Sequence, residues 1–263
     1  IGECVSLKRA GANMKGLCPF HAEKTPSFMV NTARQSFHCF GCGEGGDVFS
    51  FMMKYYNLTF FETLKQLAQR YQISHPEKDF SSADRGKAEK RQKLFDANER
   101  AARMYHDYLL HHAGGAQARD YLEKREITQE IIKAFKLGYA PAGWDFLSNK
   151  VSRSSITRAE AEEAGLLVRK EKGGFYDRFR DRILCPIFEL TGRIVGFGGR
   201  ILGDGEPKYL NTPETLIFDK SRILFGLFQH RDAIRKTRQA VVVEGNFDLL
   251  ALASYGVDNV VAP

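Results

Sequence analysis

The sequence predicts an α+β protein of more than one domain, in which a small zinc ribbon with helices precedes a mixed α/β unit rich in basic residues. Two tight pairs of metal-type ligands lie near the N-terminus, Cys18 with His21 and Cys39 with Cys42. Farther along the chain, apolar residues change from helical spacing to strand-like runs. With 263 residues, 43% hydrophobic and 27% charged, the chain has enough material for more than one globular unit.

The four ligands have the spacing of a structural zinc site. Two short pairs can complete a tetrahedral shell around Zn²⁺ once the segment between them folds into a hairpin. Four protein ligands leave no open position, so the metal is expected to be structural. His38 lacks a partner at two-residue spacing and is interpreted as a bystander. Cys4 and Cys185 also lack such partners and are predicted to fill apolar space.

The residues around the ligands predict the rest of a zinc domain spanning residues 1–74. Residues 27–30 and 36–40 are predicted strands, and residues 31–35 the turn between them, with Arg34 near its tip. Residues 48–56 and 60–71 have apolar positions at helical spacing and are predicted to be two helices. A module this small has little core of its own, so its folding is expected to depend on the metal.

The basic charge is concentrated in one part of the chain. The net charge is +7, and residues 169–238 carry 15 Lys and Arg against 9 Asp and Glu, a net +6. Such a field attracts polyanions and makes their binding salt-dependent. The alternative is a solvated face that aids solubility. Glycines and aromatic residues in this stretch favour nucleic acid, because bare backbone can approach phosphates and rings can stack on bases.

The pattern along the chain divides it further. Residues 75–93 have almost no apolar positions and are predicted to be a charged linker. Residues 94–238 are predicted to form a basic subdomain, and residues 239–263 the start of another unit. Helices are predicted at residues 94–110, 118–124, 128–135 and 157–164, and strands at 183–189, 193–197 and 240–243. Because no helical pattern follows Gly196, Gly198 and Gly199, they are not expected to form a dinucleotide-binding loop.

Two acidic residues near the end of the sequence are candidates for chemistry. Residues 241–243 form an apolar run that ends at Glu244, and Asp248 follows where a helix is expected to begin. A carboxylate at the carboxyl end of a buried strand points into the crevice where ligands bind. It could hold a divalent metal that neutralises a phosphate. On the pattern alone, an Asp near a helix start is more often a helix cap than a metal ligand.

Seven segments together resemble one family, the bacterial DNA primases of the DnaG type. They follow the family's order along nearly the whole chain. The segments are CPFH at 18–21, EKTPSF at 23–28, CFGCGEGGD at 39–47, YDRFRDRI at 176–183, GFGGR at 196–200, PKYLNTPET at 207–215 and VVVEGNFDLLAL at 241–252. The resemblance implies a zinc-binding domain followed by the first part of an RNA polymerase domain, ending in the opening of a Toprim α/β fold. Asn246 and Phe247 depart from the Tyr and Met that are usual in the family.

The resemblance also implies an activity, namely synthesis of short RNA primers on single-stranded DNA by nucleotidyl transfer. Glu244 and Asp248 would be the catalytic residues and would hold Mg²⁺ or Mn²⁺. The segment that carries Arg178, Arg180 and Arg182 would, if extended, place all three on one face suited to phosphates. The family's groove for template and nucleotide further includes positions that match Arg125, Arg200, Lys208 and Lys220.

The zinc domain is expected to read the start site on the template. Lys24, Arg34 and exposed aromatic side chains near Phe37 and Phe40 are the candidates for this contact. Ribonucleoside triphosphates, a replicative helicase and single-stranded-DNA-binding protein are the other expected partners. Metal-spaced cysteines without a disulfide framework suit the reducing bacterial cytoplasm. Since no apolar run approaches membrane-spanning length, no membrane partner is expected.

The sequence reaches Pro263 before the strands that carry further acidic residues in the family. We therefore expect a fragment that does not make primers by itself. Two other classes fit part of the pattern. A phage or plasmid primase-helicase would share both modules, and a non-enzymatic zinc-ribbon protein that binds DNA would leave Glu244 and Asp248 without a role.

Overall fold

The structure, a computed structural model, describes residues 1–74, 82–151 and 156–263, without the side chains of residues 82–84. The chain divides into two compact units, Ile1–Glu89 and Lys90–Pro263. Among the described residues, no helix is long and apolar enough to cross a membrane. The boundaries predicted from composition for the individual domains stay predictions.

The first unit contains a five-stranded antiparallel sheet whose strands follow chain order. The strands are β1 (Lys8–Ala10), β2 (Asn13–Gly16), β3 (Phe28–Asn31), β4 (Ser36–Cys39) and β5 (Gly45–Gly46). Strands β3 and β4 and the turn between them agree with the prediction to within one residue. Strands β1, β2 and β5 were not predicted, because their short polar or glycine-containing segments lack the alternation that indicates a strand.

Two helices close this unit, α1 (Val48–Tyr55) and α2 (Phe60–Tyr71), as their apolar spacing predicts. Thr59 begins α2 with a capping box, in which its side chain accepts from the backbone N–H of Glu62. Phe51 of α1 is fully buried against Phe28 and Phe37 of the sheet. The core therefore lies between one face of the sheet and α1.

The second unit begins in a long helix, α3 (Ser82–His111). Residues 82–93, predicted to be linker, form its first turns, and residues 75–81 of that linker lie outside the described part. Alanine, lysine, glutamate, arginine and glutamine are good helix formers, so a segment without apolar residues can still continue a helix. The predicted helices that follow are α4 (Ala116–Lys124) and α5 (Gln129–Ala134).

The sheet of the second unit has four antiparallel strands, in the spatial order Tyr209–Asn211, Ile194–Ile201, Arg182–Phe188 and Gly138–Ala140. In chain order the elements are β6 (Gly138–Ala140), α6 (Phe146–Val151), α7 (Arg158–Glu163), β7 (Leu167–Arg169), β8 (Phe175–Asp177), β9 (Arg182–Phe188), β10 (Ile194–Ile201) and β11 (Tyr209–Asn211). The glycines of the GFGGR segment lie inside β10, which agrees with the rejection of a dinucleotide loop. Strands β7 and β8 form a separate hairpin.

The last elements are α8 (Leu227–Thr237), β12 (Val241–Val242), α9 (Asn246–Ser254) and β13 (Val260–Val261). Strands β12 and β13 are parallel and α9 connects them, which is the arrangement of an α/β unit. The expectation that Glu244 follows a buried strand is wrong, because Val242 is 68% exposed. The two-stranded sheet leaves the side chains of β12 uncovered in this structure.

Candidate metal centre and nucleic-acid interface

The structure brings the four predicted metal ligands together in the first unit. Cys18 follows β2, His21 lies in the next turn, Cys39 ends β4, and Cys42 lies in the turn before β5. One ligand atom from each residue lies within 4.8 Å of the others. Three thiols and one imidazole in such a cluster form the donor set that Zn²⁺ prefers at structural sites. His38 is outside this cluster, as predicted.

Hydrogen bonds favour the thiolate form of Cys39, which is the form that binds a metal cation. Burial raises the pKa of a thiol, but the Ser27 hydroxyl and two backbone N–H groups outweigh it and lower the pKa of Cys39 to about 6. The Ser27 hydroxyl oxygen lies 3.2 Å from the Cys39 sulfur. At Cys18 burial dominates and raises the pKa to about 12. A bound Zn²⁺ would stabilise both thiolates, because their negative charge would then have a partner at close range.

The sheet of the first unit has an outer face with basic and aromatic residues. Lys8, Lys15, Met29 and His38 lie in one row, because each is the cross-strand partner of the next. Cross-strand partners share a face of a sheet. Phe28 and Phe37 point to the opposite face and pack on α1. The exposed row is therefore separated from the core by the thickness of the sheet.

The residues predicted to contact the template in this unit divide into exposed and buried ones. Lys24 and Arg34 are exposed, and the backbone N–H of Arg34 donates to Asn31 Oδ1 at 2.8 Å. Phe40 is 75% exposed and its ring lies 4.8 Å from that of His38. Phe37 is only 4% exposed. An exposed position for Phe37 is thus excluded, because alternation in β4 directs its ring into the core.

In the second unit, Glu244 and Asp248 line one cleft of about 320 Å³. Glu244 follows β12, and Asp248 lies in the first turn of α9. Asp248 does not act as the cap of α9, because the N-cap residue is Gly245, without a side-chain hydrogen bond. Both carboxylates are exposed to the cleft, and carboxylate oxygens are ligands that Mg²⁺ and Mn²⁺ accept.

Arg200 is the predicted basic residue that the structure brings to this cleft. Its guanidinium carbon lies 5.2 to 5.5 Å from the ring centres of Tyr121, Tyr209 and Phe247. The Tyr209 hydroxyl is a hydrogen-bond partner of Arg200, whereas Arg200 Nε is buried without a partner among the described residues. The aromatic rings hold the cation in place through cation–π contacts, and Arg200 lines the same cleft as the two carboxylates.

The YDRFRDRI segment does not form the expected row of three arginines. Only Arg182 lies in β9, and Asp181 before it has a φ of +51°, which breaks the extended run. Arg182 is 4% exposed, and its Nη2 donates to the carbonyl of Pro207 at 2.7 Å. A phosphate-binding role for Arg182 is therefore wrong. Its guanidinium instead ties β9 to the loop that carries Lys208, because Nη1 also lies 3.4 Å from the Lys208 carbonyl.

Arg178 and Arg180 lie between β8 and β9 and are both partly buried. Burial lowers the pKa of the half-buried Arg178, and its Nε has no hydrogen-bond partner within the described ranges. Arg180 lies over two aromatic rings, those of Trp144 at 4.0 Å and Tyr176 at 5.3 Å. Trp144 and Tyr176 were not among the site residues predicted from the sequence. The signal available in the sequence was that Trp144 is the chain's one tryptophan.

The other predicted basic residues are exposed but do not line the cleft of Glu244 and Asp248. Arg125 ends α4 with its guanidinium over Tyr121, a ring that also contacts Arg200. Lys208 precedes β11, and Lys220 lies in a 3₁₀ turn after it. Arg125 and Arg200 thus contact the same ring, that of Tyr121, whereas Lys208 and Lys220 lie on the following loops.

Two families match parts of the chain. The CHC2 zinc finger matches residues 1–83, and the N-terminal domain of the DNA primase catalytic core matches residues 104–231. Among curated proteins, a DNA primase of Halalkalibacterium halodurans is 45% identical over 263 residues, and one of Escherichia coli K12 is 41% identical over 258. These alignments cover 100% and 98% of this chain, and in each case 44% of the relative. The chain thus spans less than half the length of these relatives.

Solved structures give the same match. A crystal structure of the Aquifex aeolicus primase, with zinc-binding and RNA polymerase domains, is 35% identical with a TM-score of 0.61 and covers 100% of this chain and 62% of that one. A DnaG primase catalytic domain bound to single-stranded DNA is 41% identical with a TM-score of 0.63, covering 66% of this chain and 56% of that one. The RNA polymerase domain of the Mycobacterium tuberculosis primase, in complex with double-stranded DNA that has a 6-nucleotide overhang, is 41% identical with a TM-score of 0.61. That match covers 65% of this chain and 54% of the other.

Proposed function

Because this chain belongs to the DnaG-type DNA primase family, we propose that it forms the template-binding part of an enzyme that synthesises RNA primers on single-stranded DNA. The observation that carries the proposal is the cleft in which Glu244 and Asp248 lie together with Arg200. Acidic groups that accept a divalent metal and a cation that accepts phosphate are the two requirements of metal-dependent nucleotidyl transfer.

The template strand binds at Arg178, Arg180 and the neighbouring aromatic rings. Single-stranded nucleic acid is held by positive charge along its backbone and by aromatic faces on which bases stack. Arg180 over Trp144 and Tyr176 offers both properties at one place, and Trp144 is 59% exposed. The similar DnaG primase catalytic domain that is bound to single-stranded DNA supports this class of ligand.

The triphosphate of a ribonucleotide binds in the cleft, with Arg200 as its cation. Glu244 and Asp248 are the residues that would hold Mg²⁺ or Mn²⁺ there, and the metal would neutralise phosphate charge during transfer. Gly198 lines the same cleft, and a side chain at this position would collide with Asn246, because a Cβ would lie 2.8 Å from Asn246 Nδ2. In the family, further acidic residues complete this metal site.

The zinc domain contributes recognition of the template start site. Its outer face carries Lys8, Lys15 and His38, with the exposed ring of Phe40 beside His38. Lys24 and Arg34 add exposed positive charge to the same unit. A structural Zn²⁺ holds the strands that carry these residues. Replicative helicase and single-stranded-DNA-binding protein are proposed partners of the whole protein in the bacterial cytoplasm.

Metal binding tests the proposal for the cleft. Titration of the chain with Mn²⁺ in the presence of ATP, followed by water proton relaxation, should detect a site that Glu244→Gln weakens at least tenfold. Glu171→Gln is the matched control, since Glu171 is an exposed carboxylate in the β7–β8 hairpin of the same unit. Equal Mn²⁺ affinity of Glu244→Gln and the control would contradict the assignment.

A further inference from the structure

Glu23 is the acidic residue most closely joined to the metal centre. Its Oε1 accepts from the backbone N–H of Cys18 at 2.7 Å and from that of Ser27 at 3.1 Å. Its Oε2 accepts from the Ser27 hydroxyl at 2.5 Å and lies 3.3 Å from His21 Nε2. The Glu23 side chain is only 10% exposed. One carboxylate therefore contacts both members of the first ligand pair, Cys18 and His21, and also Ser27.

The two ring nitrogens of His21 face different partners. Nδ1 lies 3.7 Å from the Cys39 sulfur, on the side of the thiols, and Nε2 faces Glu23. A histidine nitrogen binds a metal only when it carries no proton. This placement directs Nδ1 toward the thiols and leaves Nε2 as the nitrogen that can carry the proton and donate it to the Glu23 carboxylate.

The backbone of Gly41 packs close to the His21 ring. A Cβ on Gly41 would lie 2.6 Å from His21 Nε2 and 2.8 Å from Ser27 Oγ, so only glycine fits beside the ring. Ser27 also connects the carboxylate to another ligand, since its hydroxyl oxygen lies 3.2 Å from the Cys39 sulfur. The ring thus has the backbone of residue 41 on one side and a hydrogen-bonded carboxylate at its Nε2.

We propose that Glu23 is a positioning residue of the metal centre, which holds His21 in the Nε2–H tautomer with Nδ1 directed at the metal. A carboxylate that accepts from the distal nitrogen raises the basicity of a histidine ligand and fixes its orientation. Glu23 thereby increases the affinity of the site for Zn²⁺. The proposal rests on a zinc ion in this centre and not on primer synthesis, so its test measures metal binding.

The first test is the Zn²⁺ affinity of the whole chain, measured by competition with a chromophoric chelator. Glu23→Gln keeps an oxygen acceptor for backbone N–H groups but presents an amide in place of the carboxylate to Nε2–H. We expect it to weaken Zn²⁺ binding roughly 10- to 100-fold. Glu3→Gln is the control, because Glu3 is a largely exposed carboxylate of the same unit that forms an ion pair with Arg70. It should bind within about twofold of the unchanged chain, since surface ion pairs contribute little.

A second pair of variants separates the role at His21 from the role at the backbone. In a His21→Cys background the site has four thiolates and no imidazole to orient, so adding Glu23→Gln should change Zn²⁺ affinity by less than threefold. The absorption of the Co²⁺-substituted chains verifies that a thiolate-rich ligand set persists. The proposal is overturned if Glu23→Gln alone leaves the affinity unchanged. An equal loss in both backgrounds also overturns it, since Glu23 would then act only through the Cys18 and Ser27 backbone.

Discussion

Arg180 places its guanidinium carbon 4.0 Å from the centre of the Trp144 ring, and a second ring, Tyr176, lies 5.3 Å away. Trp144 and Tyr176 are themselves 5.4 Å apart and meet edge to face. The Arg180 Nη1 also donates to the carbonyl of Arg178 at 3.3 Å. These contacts fix a cation and two aromatic rings in one arrangement, so little side-chain entropy has to be lost when a nucleic acid binds.

The exposed ring of Trp144 predicts a direct optical signal for DNA binding. Trp144 is the chain's one tryptophan, so stacking of a base on it should quench the intrinsic fluorescence of the protein. Trp144→Ala should weaken oligo(dT) binding by about 1 to 3 kcal/mol, measured by fluorescence anisotropy. Tyr255→Ala, which removes another exposed ring of the same unit, should leave the affinity unchanged. A stacking role would be contradicted if DNA quenched the fluorescence of the unchanged chain but Trp144→Ala bound oligo(dT) with the same affinity.

Removal of the metal is expected to unfold one unit and spare the other. The first unit has a small core around Phe28, Phe37 and Phe51, whereas the second has a separate and much larger core. Structural zinc contributes on the order of 10 kcal/mol to the folding of such small domains. Addition of EDTA should abolish one calorimetric transition and leave the transition of the second unit at its temperature. A single transition that shifts as a whole would show that the units do not unfold independently.

Because Arg182 is buried, replacing it is expected to lower the stability of the second unit and not to remove charge from its surface. Arg182→Ala removes the hydrogen bonds to the Pro207 and Lys208 carbonyls and leaves a cavity beside β9. We expect the free energy of unfolding of the second unit to fall by roughly 2 to 4 kcal/mol, measured by urea denaturation. Arg235→Ala, at an exposed site on α8, should cost less than about 0.5 kcal/mol. Full stability of Arg182→Ala would contradict the tie between β9 and the Lys208 loop.

Asp177 predicts an unusual contribution to the pH dependence of stability. Burial raises the pKa of this carboxyl above its ordinary 3.8, although the N–H groups of Leu147 and Ser148 donate to it. A raised pKa means that the folded state binds the proton more tightly than the unfolded state. The contribution of Asp177 to the free energy of unfolding therefore grows as the pH falls through the raised pKa toward 3.8.

Asp177→Asn removes that titration while keeping one acceptor. Stability of the unchanged chain relative to Asp177→Asn should therefore increase between pH 7 and about pH 4. Urea unfolding followed by the fluorescence of Trp144, whose carbonyl accepts from the Asp177 N–H at 2.8 Å, reports on this region. A difference between the two proteins that shrinks as pH falls would show that the carboxylate is stabilised in its charged form instead.

Local sequence signals predicted those elements that have strong periodicity or caps. Helix α7 begins at a Thr157 capping box, within one residue of the start of the helix predicted at 157–164, and the spacing of Cys18, His21, Cys39 and Cys42 predicted a cluster that the structure forms. Each of these signals comes from residues close together in sequence or from the number of ligands that zinc requires. It can therefore be recognised without knowledge of the tertiary fold.

Features that depend on contacts distant in sequence were not predictable. Arg182 looks like Arg178 and Arg180 in the sequence, but its partners lie on a loop 25 or 26 residues away. The same limit applies to the rings around Arg200, since Tyr121, Tyr209 and Phe247 come from three separate elements. Only the folded arrangement decides which arginines face solvent and which aromatic side chains surround them.

The central claim, that the second unit binds a single-stranded template through Arg178 and Arg180, is tested most directly by the salt dependence of DNA affinity. We predict that Arg178→Ala with Arg180→Ala lowers oligo(dT) affinity at least tenfold at low salt. The slope of log K against log salt should become shallower by about 0.7 for each phosphate that the variant no longer neutralises. Arg169→Ala is the matched control, because Glu162 already neutralises Arg169 at 2.7 Å. Affinity and slope equal to those of the control would contradict the claim.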